Sequence, residues 1–239
     1  MKKILFFVLA CIPFSCQENS VEKPSLDYSA IMTNLDLVLG NTFNTARLAG
    51  KESISITSLD YLKANYYQSN LDLSGIDSKL SARASSALDL SFLTPFQEAI
   101  ARPFLEDVVE VEEISDLSGI VAHFESAIAN SSLVPEQKYQ LYVMCSLVKQ
   151  AGILIAEVQD DLLAGKINGE INVKEALRAG VESLAAGAVY GAYVGATGGT
   201  MTVPIVGTVV AGVGCAVVGG AVGFVTGVVG SIASQLFWD

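Results

Sequence analysis

The sequence predicts an all-α protein: a small helical bundle followed by a long helical hairpin closed by a Gly-zipper. Three observations carry this prediction. Between Glu182 and Asp239 there is no charged residue, and most of the 21 glycines of the 239-residue chain lie in that stretch, between Gly187 and Gly230. The glycines are also periodic. Gly187, Gly191 and Gly195 recur every four residues, with Gly180 seven before the first; past Pro204 the small residues Gly207, Ala211, Cys215, Gly219, Gly223, Gly227 and Ser231 keep the same spacing. Positions four apart share one face of an α-helix, so each run carries a groove free of side chains. The third observation is apolar periodicity near 3.6 residues across much of residues 26–169, which predicts helices there too.

In water such a run makes poor helix, because each Gly costs about 1 kcal/mol relative to Ala. In lipid or a dry protein core it is favourable, since two backbones can close along the groove. The two zipper series are therefore the helix-packing candidates. Like faces on two copies of the chain can associate in the same way, which makes a homo-oligomer the accompanying expectation.

Residues 1–15 read as a signal peptide. Met1-Lys2-Lys3 is a positive start, and ILFFVLACIPF is an apolar core too short to span a bilayer. Cys16 follows a small residue at the end of this core, with Cys11 as the rival processing site. Residues 16–25 are polar, contain Pro24 and read as a tether. Leu26 to Gly50 has helical spacing at Ile31, Leu35, Val38 (or Leu39) and Phe43. A weaker helix is expected over 53–70, although SISIT is also compatible with a strand, and short helices and loop over 71–94.

Pro95 and Pro103 bracket a short helix begun at Pro95, where proline suits the first helical position. The acidic run Glu106–Asp116 lacks the alternating oxygen ligands and glycine turn of a calcium loop, so it reads as a solvated loop. Ile114, Leu117, Ile120, Val121, Phe124 and Ile128 form an apolar stripe. Pro135 then begins the most strongly patterned soluble helix, whose face runs through Leu141, Met144, Val148, Ala151, Ile155, Val158 and Leu162. Leu147, Ile153 and Leu154 lie off that face, which implies burial on two sides; Gly165 fits the C-terminal cap.

The hairpin region is 170–239. Asn172 with Glu175 resembles a capping box, and the helix it starts runs without a break into the glycine series. The break is placed at Gly198–Pro204. The second helix, Ile205 to about Gln235, then measures about 45 Å against a hydrocarbon core of about 30 Å.

Composition narrows the function classes. A net charge of −11 and the lack of any basic run exclude nucleic acid as a partner. The single histidine, His123, and the absence of Cys-x-x-Cys leave no expected metal site or His-based triad. Gly212-Val213-Gly214 is not a dinucleotide fingerprint, since Val217 stands where the next small residue is required. No cofactor and no enzymatic activity are expected. Cys145 and Cys215 read as buried thiols.

Cys16 at the end of a signal core resembles the bacterial lipoprotein signal, departing from it at Pro13, where an aliphatic residue is usual. Together with the glycine series it resembles the bacterial glycine-zipper surface lipoproteins; the C-terminal part alone is similar to the glycine-zipper bacteriocins. The first resemblance implies acylation at Cys16, export and attachment to the cell envelope (outer membrane or surface), with membrane lipid as the partner. The second implies a membrane-permeabilising toxin whose helical part shields the hairpin.

Mass spectrometry of the N-terminal peptide of membrane-extracted protein is expected to find residue 16 first and acylated. Cys16→Ser is expected to move the protein out of the acylated fraction; an acyl group on Cys11 instead contradicts the assignment.

Overall fold

The computed structural model describes residues 28–48, 88–196, 200–203 and 207–237. Six helices make up nearly all of it: α1 Tyr28–Leu48, α2 Pro95–Val109, α3 Leu117–Asn130, α4 Pro135–Leu163, α5 Val173–Gly195 and α6 Ala211–Phe237. A 3-10 turn, Ile114–Asp116, leads into α3. The expected all-helical fold, a bundle followed by a C-terminal helical hairpin, is the one observed.

Several helix ends follow local chemistry. At α2, Thr94 and Gln97 form a capping box, with Gln97 N–H donating to Thr94 Oγ1 at 3.4 Å and Thr94 N–H to Gln97 Oε1 at 3.0 Å. α4 starts at Pro135 and ends in a Schellman turn. Gly165 takes φ +67°, Lys166 N–H donates to Asp161 O at 3.0 Å, and Gly165 N–H to Leu162 O at 3.0 Å. The left-handed φ is the reason a glycine stands there. Asn172 Oδ1 caps α5 by accepting from Glu175 N–H at 3.0 Å. The reciprocal half of the predicted box is replaced: Asn172 N–H donates to Gln235 Oε1 of α6 at 2.6 Å, which ties the open end of the hairpin.

Three expectations are corrected. α2 does not stop before Pro103 but runs through it to Val109. An internal proline costs about 3 kcal/mol or more; burial of Phe104, Leu105 and Val108 just beyond it offsets that cost. Of the residues off the main face of α4, Leu147 and Leu154 are buried, whereas Ile153 is 52% exposed. The third correction concerns the hairpin turn. α6 begins at Ala211, not Ile205, because Thr200–Val203 and Gly207–Val210 form a two-stranded antiparallel ribbon with Thr200 opposite Val210 and Val203 opposite Gly207. Threonine and valine dominate both strands, and β-branched side chains favour extended backbone over helix. The sequence expectations for 1–25, 53–70 and most of 71–94 lie outside the described residues.

One continuous apolar core holds the elements together. It takes in Leu35, Leu39 and Phe43 of α1, Leu105 of α2, Phe124 of α3, Leu147 and Ile155 of α4, Leu177 and Leu184 of α5, and Phe224 and Val228 of α6. Close approaches recur at glycines. A Cβ on Gly40 of α1 would stand 2.7 Å from Gln150 Oε1 of α4, and one on Gly152 of α4 would stand 2.8 Å from Leu117 Cδ2. α4 thus packs against α1 on one side and against the start of α3 on another.

Candidate functional site

The candidate site is the α5–α6 hairpin and the helices that cover it. The zipper glycines of the two arms face one another across an antiparallel contact. A Cβ on Gly187 would overlap the carbonyl group of Gly219, 2.8 Å from its carbon, and a Cβ on Gly219 would overlap that of Gly187, 3.0 Å from its carbon. At Gly191 the obstacle is the Cys215 carbonyl, with its carbon at 2.6 Å. At Gly227 it is Ala179, carbonyl carbon at 2.7 Å, and Ser183 Oγ at 2.8 Å. Gly223 contributes its Cα, 3.4 Å from the Cβ position of Gly187. Apart from the Ser183 hydroxyl these are backbone contacts, which no rotamer change can relieve.

Glycines outside the four-residue series behave differently on the same helix. At Gly230 an added Cβ would meet nothing within 4 Å, and at Gly220 its nearest neighbour would be the Ala188 Cβ at 3.3 Å. Gly195 is buried at the end of α5. Ala211 is the first residue of α6, and Gly207 lies in the Gly207–Val210 strand of the ribbon opposite Val203, so Gly207 is not a helix-packing residue as expected. Cys16 and Cys11 lie outside the described residues.

Two members of the contact were missed from sequence. Ala179 and Ser183 continue the Gly187 series backwards at four-residue steps, and both face Gly227. The signal was present, but it is carried by small residues other than glycine. Gly180 receives side chains instead: a Cβ there would stand 2.5 Å from Val228 Cγ2 and 3.1 Å from Phe224 Cε2.

Outside the zipper the hairpin is covered by protein. Phe43 of α1 meets Phe224 edge-on, with ring centroids 6.3 Å apart and planes at 83°. Val217, Val218, Ala221, Val222, Phe224, Val225 and Val228 are all buried. Gly212–Leu236 is apolar and long enough to cross a bilayer, yet most of its apolar stretch is buried inside the protein, and the same holds for Pro135–Leu163. A small apolar cavity of about 20 Å³, with Met144 and Leu147 on one side and Ala188, Ala216 and Gly220 on the other, separates α4 from the hairpin. Tyr193 is 75% exposed near the end of α5.

A partly buried polar cluster holds α1 on this assembly. Ser146 Oγ of α4 donates to Asp36 Oδ1 of α1 at 2.5 Å, and Lys149 Nζ to Asp36 Oδ2 at 3.0 Å. Lys149 also lies 3.8 Å from Glu125 Oε1 of α3. Burial opposes the charge on Lys149, but the hydrogen bond and charge of Asp36, helped by Glu125, outweigh it and raise the ammonium pKa. Cys145 Sγ faces Glu125 Oε1 at 3.6 Å. Burial, reinforced by that carboxylate, pushes the thiol pKa far up, so this sulfur is a poor nucleophile. Ser146 and Lys149 have the Ser-x-x-Lys spacing of some acyl-transfer enzymes, but Ser146 is fully buried with its hydroxyl committed to Asp36.

No cluster of three or more metal-ligating side chains occurs among the described residues. His123 is exposed, on the wall of a groove between α2 and α3. Comparison of the chain with protein-family models, with curated proteins and with solved structures returns no match.

Gly219→Ala is expected to destabilise the protein by about 2–4 kcal/mol, because a backbone must move to admit the methyl group. Gly230→Ala, the same change on the same helix, is expected to stabilise it by about 0.5–1 kcal/mol through helix propensity. Urea denaturation of both variants measures the pair; equal signs contradict the packing described.

Proposed function

We propose that this chain is a non-enzymatic lipoprotein of the bacterial envelope, attached through Cys16, whose Gly-zipper hairpin is a membrane-packing element held under a helical cover. One observation carries the reading. The same helix, α6, is apolar over a bilayer-spanning length and is enclosed by α1 and α4. A helix of that length and composition is stable in lipid, and in water only while its surface stays covered. The acyl group at Cys16 keeps the covered form at a membrane, and the hairpin supplies the second attachment that a single lipid chain needs for firm binding.

The net charge of −11 keeps the covered form soluble and disfavours nucleic acid as a partner. Homo-oligomers through the zipper faces require the hairpin to open first, since within one chain those faces contact each other.

A second reading, permeabilisation of a target bilayer, is favoured by the internal zipping. Backbones locked at Gly187/Gly219 and Gly191/Cys215 let the hairpin leave its cover as one unit. Purified protein added to dye-loaded liposomes separates the two readings. Association with the dye retained is the expected result. Dye release supports permeabilisation, and protein that stays wholly in solution contradicts both.

A further inference from the structure

We propose that the face of α6 centred on Phe224 is the surface that meets the lipid bilayer, and that the clasp formed by Asp36, Ser146 and Lys149 keeps it covered. The inference rests on the covered-hairpin reading and deepens it by naming the face and the device that controls it.

The face follows from what covers each side of α6. The zipper side is closed by α5 through backbone contacts at Gly219 and Gly227, which stay made when the hairpin moves as a unit. The side bearing Phe224 is closed partly by Phe43, an α1 side chain seated edge-on against it. Removing α1 therefore uncovers the Phe43-facing edge of Phe224, while the ring keeps Gly180 of α5 beneath it and the two arms remain joined.

The clasp follows from what holds α1. Its apolar residues Leu35, Leu39 and Phe43 bury against the core. Among the described residues, polar ties link it to α4 through Asp36 with Ser146 and Lys149 near its middle, and through Arg47 with Glu157 at 3.3 Å near its end. The second tie is exposed, with side chains 43% and 53% accessible, and such pairs contribute little. The first is different. Its carboxylate and ammonium are 27% and 35% accessible, and Ser146 is fully buried. Removing one member of this partly buried pair leaves the others less hydrated than surface groups, so the effect exceeds that of a fully exposed pair.

Asp36 is also the member whose loss acts on one interface. Lys149 retains Glu125 at 3.8 Å, so the α3–α4 contact keeps its own ion pair when Asp36 is neutralised. Opening is thereby confined to α1, and the helices behind it stay in place.

The test uses the full acylated chain on phosphatidylcholine–phosphatidylglycerol vesicles that contain a photoactivatable lipid probe. Mass spectrometry reads the labelling of the 211–237 peptide, which acyl attachment alone does not raise. Low labelling is expected for the unaltered protein and about tenfold more for Asp36→Asn. Glu98→Gln, which breaks the Arg102 pair on α2, is expected to change nothing. Phe43→Ser removes the cover directly and is expected to label as strongly as Asp36→Asn. Labelling of Phe43→Ser but not Asp36→Asn overturns the clasp and leaves the covered-hairpin reading standing. No labelling in any variant overturns both. Equally strong labelling of all proteins, including the unaltered one, overturns the clasp. Circular dichroism is recorded for each variant; if Asp36→Asn loses its helical signal, Ser146→Ala takes its place, with about threefold more labelling expected and no increase counting against the clasp.

Discussion

Two backbones in contact, without side chains between them, set the terms for the rest of this structure. Where Gly187 meets Gly219 and Gly191 meets Cys215, the arms of the hairpin are too close to admit a methyl group. Such closeness has a cost, since each glycine weakens its helix by about 1 kcal/mol relative to alanine. It also pushes valine and phenylalanine to the outside of the pair, because the inner faces are occupied by main chain. The hairpin is consequently apolar on its outer surface and needs another layer. Valine and phenylalanine burial contributes about 1.5–3 kcal/mol per side chain, enough to offset the glycines once α1 and α4 are in place. The inward zipper and the outward cover are two results of one sequence pattern.

Much of this was legible in the residues themselves. The four-residue spacing identified Gly187, Gly191, Gly219 and Gly227, and these positions meet backbone in the structure. Pro135 and Gly165 marked both ends of α4 because each acts locally, one through a fixed φ and the other through a positive one. Gly207 failed for the opposite reason. A glycine spacing carries no information about competing secondary structure, and the valines and threonines around it favoured a ribbon. Pro103 failed because tertiary burial overrode a local rule. The Asp36 clasp was not legible at all, since its members are about a hundred residues apart and no period links them.

The medium around the hairpin was the deeper ambiguity. Periodic glycine among valines signals a water-free environment, and both lipid and a protein interior are water-free. Sequence alone cannot separate them, because the same side chains suit either. In the structure most of α6 is buried within the protein, and its Phe224 rests on Gly180 and Phe43. Charge is divided accordingly: acidic residues stand on the covering helices and on the first part of α5 (Glu175, Glu182), and none lies between Ser183 and Trp238.

Hydrogen exchange over 173–237 in detergent-free buffer addresses the central claim most directly. Slow exchange of the amides around Gly187, Gly219 and Gly227, among the slowest in the chain, is the predicted result. Rapid exchange across α5 and α6 while α4 stays protected contradicts the account, since it means that the hairpin is neither zipped nor covered in water.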